Sequence, residues 1–509
     1  MKGAIAAGHQ LTAEAGARML AEGGNAVDAC LAAAFVSWVA ESPLTGPGGG
    51  GFLLVHRARD GRSRLLDFFV TVPGAGLPRG TIGEMESVDV DFDSTIQAFR
   101  IGAASVAVPG VVAGLEAAHR RYGSVPWPAL IEPAVQLARD GVELTREQAY
   151  LHAILDIILR HTGHGCGIYG PNGERLAAGD RLVMRDLANT LELLATEGAP
   201  AFYAGRLGRE LSDHVRSEGG TLTHEDLSSY RVIWRRPIVV DFAQHNVESN
   251  PPPSSGGVLI AYGLRLLDRT GLGGLAGSAG AIARLVEVMR EQLRARGPGF
   301  TRELFRGGLA RRLVEDARVE PAAGRLLTGT THISVVDARG NAASLTASTG
   351  SGSGVLVPGT GVHLNNMLGE FDLIPAGARR VPGGRLTSMM APSVVLRDGR
   401  PRLVVGSAGS LRLRGAIMQI VVNVVGHGMS VEEAITAPRV HLDNGHVHCE
   451  GGTDPAELDE LERRGYELVR WRRRNLYFGG ASAVELRPDG TLAAAGDPRR
   501  GGHGIVVDA

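Results

Sequence analysis

Cysteine is scarce in this chain. Only Cys30, Cys166 and Cys449 occur among 509 residues, and an odd, widely scattered set implies no disulfide framework. An excess of one charge is missing too, since 53 basic residues meet 54 acidic ones for a formal net charge of −1. That balance argues against nucleic acid or an anionic membrane surface as a partner. No apolar run approaches a membrane span: the longest, around 26–40, is broken by Asp28, Ser37 and Trp38. The first residues carry one Lys and no sustained apolar stretch, so no secretory signal is read there and a cytoplasmic enzyme is the expectation. Glycine, by contrast, is plentiful at 72 residues, which predicts many tight turns and close backbone approaches. With 44% hydrophobic and 21% charged residues, the chain has an ordinary globular composition and enough length for a large layered core.

Thr12 is placed to cap a first helix that runs to about Ala21 and stops at Gly23-Gly24. Asn25 then caps a second helix, with Asp28 three residues on as in a capping box. Ala and Val surround that helix on nearly every side, so burial is predicted. After the glycine run from Gly46 to Gly51, Phe52-Leu53-Leu54-Val55 reads as a buried strand. The region from about Gly110 to Glu320 looks mainly helical, with Pro251-Pro252-Pro253 and Gly256-Gly257 as turn signals. Beyond Thr330 the texture turns strand-like, at Ile333 to Val336, Ala342 to Thr346, Val355 to Val357 and Leu403 to Val405, with one helix over about Leu413 to Val425. A helix-rich first part and a strand-rich second part favour a layered α+β fold.

The stretch from Thr330 to Ser348 reads as a hairpin: strand, polar turn with Gly340, strand. A turn centred on Arg339 makes residues whose numbers add to 678 face each other, which sets Asp337 opposite Asn341 and Thr330 opposite Ser348. Facing residues have Cβ atoms about 5 Å apart, so two hydroxyls come side by side at the open end. On spacing alone, Thr330 reads as a β-forming residue at a strand start.

The segment Gly329-Thr330-Thr331-His332-Ile333-Ser334-Val335-Val336-Asp337, followed by Gly340-Asn341-Ala342, closely resembles the start of the small subunit in gamma-glutamyltranspeptidases. Colinear matches include Gly24 to Ala29, Gly46 to Phe52, Val108-Pro109-Gly110, Pro251 to Gly257, and Pro358 to Gly361 with Leu364-Asn365-Asn366. Gly406 to Gly409 and Asp497-Pro498-Arg499-Arg500 complete a resemblance that spans nearly the whole chain. It implies the four-layer αββα sandwich of N-terminal-nucleophile hydrolases and no metal or cofactor. It also implies a precursor cut between Gly329 and Thr330 into a large chain, 1–329, and a small chain, 330–509, which stay interleaved as each other's partners. Thr330 is then the nucleophile, its freed α-amine the base, and Ser348 the second hydroxyl that orients it. Gly409 and Ser410 match the pair whose backbone amides form the oxyanion hole.

The recognition residues depart from the family pattern. Where glutamyl transferases carry Asp-x-Arg-Glu-x-x-Pro, this chain has Asp67-Phe68-Phe69-Val70-Thr71-Val72-Pro73. Phe69 replaces the Arg that holds the substrate α-carboxylate, so a bidentate clamp becomes an apolar wall. Gly350 stands for an Asn, Met367 for a Gln, and Met389 for one of two serines, while Ser388 keeps the other. Glu370 stands for the Asp that reads the substrate ammonium. The nucleophile is kept and most of the glutamyl reader is lost. The leading expectation is hydrolysis of an amide-like bond in a small-molecule acyl substrate other than ordinary γ-glutamyl. Alternatives are a conventional gamma-glutamyltransferase (glutathione hydrolase), an oxamate-type amidohydrolase, a C–C bond hydrolase of a natural-product pathway, and a non-processing scaffold homologue.

Other signals carry less. Gly46-x-Gly48-x-x-Gly51 matches a dinucleotide fingerprint but precedes a strand. Ser351 and Ser353 give no nucleophile-elbow register, and their loop is read as a pocket edge. The sets His441, His446, His448, Cys449 and His161, His164, Cys166 lack good zinc spacing, and Arg472 to Arg474 is read as a solvated face. A charged α-carboxylate facing Phe69 and Met389 without its clamp is costly. Processed enzyme incubated with glutathione or a γ-glutamyl anilide is therefore expected to release product far more slowly than a true glutamyl transferase; turnover at family rates would contradict this reading.

Overall fold

In the computed structural model, residues 2–91, 96–297, 299–316, 330–370, 373, 380–409 and 411–508 are described. Asn25 opens the helix Ala26–Ala40 through a reciprocal capping box. Its side chain accepts from the Val27 and Asp28 amides, and Asp28 accepts from the Asn25 amide at 2.9 Å. All fifteen residues of this helix are buried, because a sheet lies on one side and the helices Gln10–Ala21 and Trp127–Asp140 pack on others. The expected cap of the preceding helix is corrected. Gln10–Ala21 is capped by His9, which accepts from the Leu11 amide at 3.1 Å. Thr12 lies inside the helix and donates to Glu41 at 2.8 Å.

Two antiparallel sheets form the middle of the molecule. The first runs in the order His503–Val507, Gly3–Ala7, Thr331–Asp337, Ala342–Ser348, Gly50–Arg57, Arg62–Phe68, Ile233–Arg235. The second runs Leu492–Gly496, Gly480–Leu486, Arg400–Ala408, Ser393–Arg397, His245–Ser249, Ile238–Phe242. Each sheet is built from strands on both sides of position 330.

Strand side chains point alternately to opposite faces, and the three apolar clusters follow that period. Ile333, Val335, Leu53 and Val55 pack outward against Phe35 and Val36 of the helix layer. Ala4, Phe52, Leu54 and Val336 face inward against Val394, Val404 and Val484 of the other sheet. Val395, Leu403 and Val405 face outward against Ile260, Leu264 and Ile417, from the helices Gly256–Thr270 and Leu411–Val421. The order helix, sheet, sheet, helix is the expected four-layer αββα arrangement.

The expected helical middle contains two strands of the second sheet, Ile238–Phe242 and His245–Ser249. Their two-residue turn uses Ala243 and Gln244, both at positive φ (48° and 63°). Gly, Asn or Asp ordinarily signal that turn, so the hairpin was hidden. Gly256-Gly257, read as a turn, instead begins a helix; a Cβ at either position would overlap the main chain of Met389 or Asn250. The helix expected over Leu413 to Val425 is α-helical over Leu411–Val421 and widens to a π-helix over Val422–Gly426. Among the described residues, no helix is long and apolar enough to cross a membrane.

Candidate active site

The hairpin pairs Thr331 with Ala347, His332 with Thr346 and so on to Val336 with Ala342, which is the register summing to 678. The Asp337 amide bonds the Asn341 carbonyl at 3.0 Å. The same register carried one step outward brings Thr330 beside Ser348, and Ser348 is flanked on its other side by Gly50. Both hydroxyl residues are buried, and Ser348 Oγ accepts from the Gly350 amide at 2.7 Å.

Thr330 and Ser348 line one small, partly open cavity. Phe69, Met367 and Met389 line it, with Glu370 and Ser388 as its other polar residues. Leu373, Met390 and Leu413 complete an apolar wall that the sequence reading missed. Gly350, expected in the substrate site, is not among the lining residues; it sits behind Glu370 at φ 74°, where a Cβ would overlap the Asn366 and Glu370 side-chain oxygens. Gly409 sits just past the strand Arg400–Ala408 at φ 119°, its carbonyl accepting from the Arg412 amide at 3.1 Å. Gly329 and Ser410 lie outside the described residues.

Each wall is pinned by a motif that sequence had singled out. Asp67 Oδ1 accepts from the Phe69 amide at 3.1 Å, and Oδ2 accepts from Arg235 Nε at 2.8 Å. The Phe69 ring stacks on Phe52 with centroids 5.4 Å apart. The Asn365 amide group donates to the Gly48 and Ala107 carbonyls at 2.8 and 2.9 Å and accepts from the Met367 amide at 3.1 Å, tying the glycine run to the Met367 wall. The Ser388 carbonyl accepts from the Ser254 and Ser255 hydroxyls at 2.9 and 3.0 Å, and Asn250 Nδ2 donates to the Met390 carbonyl at 2.8 Å.

The sequence model of the gamma-glutamyltranspeptidase family matches residues 12–507. The chain belongs to the gamma-glutamyltranspeptidase family. It is 33% identical over 530 residues to the Acylase ACY 1 proenzyme of Pseudomonas sp. strain SE83, with 99% of this chain and 94% of that protein covered. It is 30% identical to the Glutathione hydrolase proenzyme of Escherichia coli K12, with 98% and 90% covered. Cephalosporin acylase from Bacillus halodurans shares the fold, with a TM-score of 0.84 at 23% identity over 100% of this chain and 96% of that one.

This gamma-glutamyltranspeptidase family enzyme has no Arg or Lys lining the cavity among the described residues. Arg385, nearby, is committed elsewhere. It bonds the Phe69 carbonyl, the Tyr230 hydroxyl at 2.7 Å and the Arg231 carbonyl at 2.7 Å, with its Nε 3.4 Å from Asp67. Facing the sheet ends is a second, smaller cavity that also touches Thr330 and includes Glu41, His332 and Arg500. Arg500 Nη1 donates to the Thr330 carbonyl at 3.1 Å. Burial pushes the Arg500 guanidinium down to about 10, which leaves it charged at neutral pH. Glu41 accepts from the Thr331 hydroxyl at 2.5 Å, and burial raises its pKa. Arg500 belongs to a motif noted in the sequence; a lone Glu41 after an apolar helix gave no signal beyond a helix end.

His332, two residues from Thr330, bonds the hydroxyls of Thr346 (2.8 Å) and Ser334 (2.9 Å), and burial drives its pKa down to about 3. A histidine depressed below its unfolded value of 6.5 contributes full stability above that value and loses it as pH falls toward about 3, because the unfolded chain takes the proton first. Denaturant unfolding of the native protein is therefore expected to show lower stability at pH 5 than at pH 7.5, on the order of 2 kcal/mol from His332 alone. His332→Gln flattens that slope; an unchanged slope in the variant would contradict the assignment.

Proposed function

We propose that the chain is a self-cleaving acylase-type hydrolase whose nucleophile is Thr330. The observation that carries this reading is the cavity itself: two buried hydroxyl residues at a hairpin's open end, facing an acyl site with apolar walls and no cation among the described residues. In the precursor, the Thr330 hydroxyl attacks the Gly329 carbonyl, the amide nitrogen leaves as an amine, and an ester links the two halves. Water then hydrolyses the ester and yields chains 1–329 and 330–509, held together because each sheet pairs strands of both.

In the mature enzyme, the α-amine of Thr330 accepts the proton of its own hydroxyl as that oxygen attacks the substrate acyl carbon. An ordinary α-amine titrates near 7.7–8.0, close to working pH, whereas an unassisted alcohol is a weak nucleophile. Ser348 holds the attacking hydroxyl in line. The backbone amides of Gly409 and Ser410 stabilise the oxyanion, and one such donor contributes on the order of 10²–10³ in rate. Leaving-group protonation gives an acyl-Thr330 ester, which water cleaves.

The acyl group is one whose body suits Phe69, Met367, Met389 and Leu413, with Glu370 and Ser388 reading a polar end. The acylases among the relatives fit this class better than a γ-glutamyl donor, whose carboxylate meets no cation among the described lining residues. A denaturing gel of purified protein is expected to show two bands, near two-thirds and one-third of the chain, with the smaller beginning at Thr330. Thr330→Ala is expected to remain one band and to lose amidase activity by a factor on the order of 10³ or more; a wild type that stays whole yet active would sink the proposal.

A further inference from the structure

Two opposite charges are buried beside Thr330, and the backbone is shaped to admit both. A Cβ on Gly480 would overlap the Arg500 side chain, and a Cβ on Gly8 would overlap the Glu41 carboxylate. Burying a charge is costly unless it is matched. Glu41 has the hydroxyls of Thr12 and Thr331. Arg500 is not needed to neutralise Asp497, which already pairs with Arg439 at 2.7 Å and Arg499 at 3.0 Å. Its contact is instead the Thr330 carbonyl, at 3.1 Å, and its Nε has no partner among the described residues.

On the proposed reading, the group that matters most near that carbonyl is the amine of Thr330, about 3 Å from it through the same residue's skeleton. A protonated amine cannot take the hydroxyl proton, and a nearby cation disfavours adding that charge. We infer that Arg500, set against the Thr330 carbonyl and balanced by Glu41, is a positioning residue that keeps the amine of cleaved Thr330 unprotonated, and so free to accept the hydroxyl proton, at neutral pH. The inference rests on Thr330 being the nucleophile freed by cleavage. Other charged or titratable groups around the amine are His332, which burial keeps neutral, Glu370 across the acyl cavity, Asp497 with its two arginines, and Arg412, whose guanidinium lies 4.1 Å from the Tyr477 ring centre. Arg500 is the cation among these that touches Thr330.

The two charges should act with opposite sign, which a merely structural role does not produce. The test is the acid limb of kcat/KM for p-nitrophenyl butyrate hydrolysis by processed enzyme, with Thr330→Ala as the blank. Wild type is expected to titrate below the ordinary α-amine range of about 7.7–8.0. Arg500→Met moves the limb up by on the order of one pH unit, Arg500→Lys keeps it near wild type, and Glu41→Gln moves it down. Limbs that stay put, or move the same way in Arg500→Met and Glu41→Gln, overturn the inference. Should those variants fail to mature, pH-dependent labelling of the wild-type Thr330 amine by acetic anhydride decides it: titration below the ordinary range supports the role, and titration within or above it refutes the role. A wild type that never exposes Thr330 refutes the underlying proposal instead, so the two failures are told apart.

Discussion

A β-hairpin has a side-chain period of two, so a slip of one residue between 331–337 and 342–348 would turn every side chain to the opposite face. The site depends on that pairing being held. Asp337 holds it at the turn. Its carboxylate accepts from the amides of Arg339 and Asn341 and from the Asn341 side chain at 2.8–3.0 Å, and reaches the Ala26 amide at 3.1 Å. The turn is thereby fixed to the start of the buried helix Ala26–Ala40, and the far end of the same hairpin delivers Thr330 and Ser348 to the cavity.

Around that fixed point the protein separates two environments. On one side lies the cavity at Thr330 and Ser348, bounded largely by phenylalanine, leucine and methionine. On the other lie buried charges, Glu41 and Arg500, with a neutral histidine between the sheets. Methionine is unbranched and polarizable and adapts to irregular shapes, so Met367, Met389 and Met390 suit a site whose glutamyl-reading groups have been replaced.

Much of this was legible in the sequence because it depended on local rules. The capping box at Asn25 and Asp28, the buried strand after the glycine run and the hairpin register all follow from neighbours in the chain. The motif matches around Asp67, Asn365 and Pro251 to Gly257 located the segments that frame the cavity, though not how they bond to one another. What escaped was set by distant contact or by an unsignalled turn. Ala243 and Gln244 adopt positive φ without the residues that announce it. Gly256 and Gly257 looked like a turn because the main chains of Met389 and Asn250, which they make room for, lie far away in sequence. Glu41 and Arg500 are 459 positions apart, and only the stacked sheets bring them to the same threonine.

The account makes the hydroxyl of one residue the point where the acyl group is carried. Peptide mapping by mass spectrometry, after brief exposure of mature protein to a panel of amide-linked apolar acyl compounds and an acid quench, reads that residue directly. The account predicts an acyl mass increment on the first residue of the smaller chain, Thr330, and none at residue 330 in Thr330→Ala, which has no side-chain hydroxyl to carry it. Turnover accompanied by an adduct on any other side chain would contradict it.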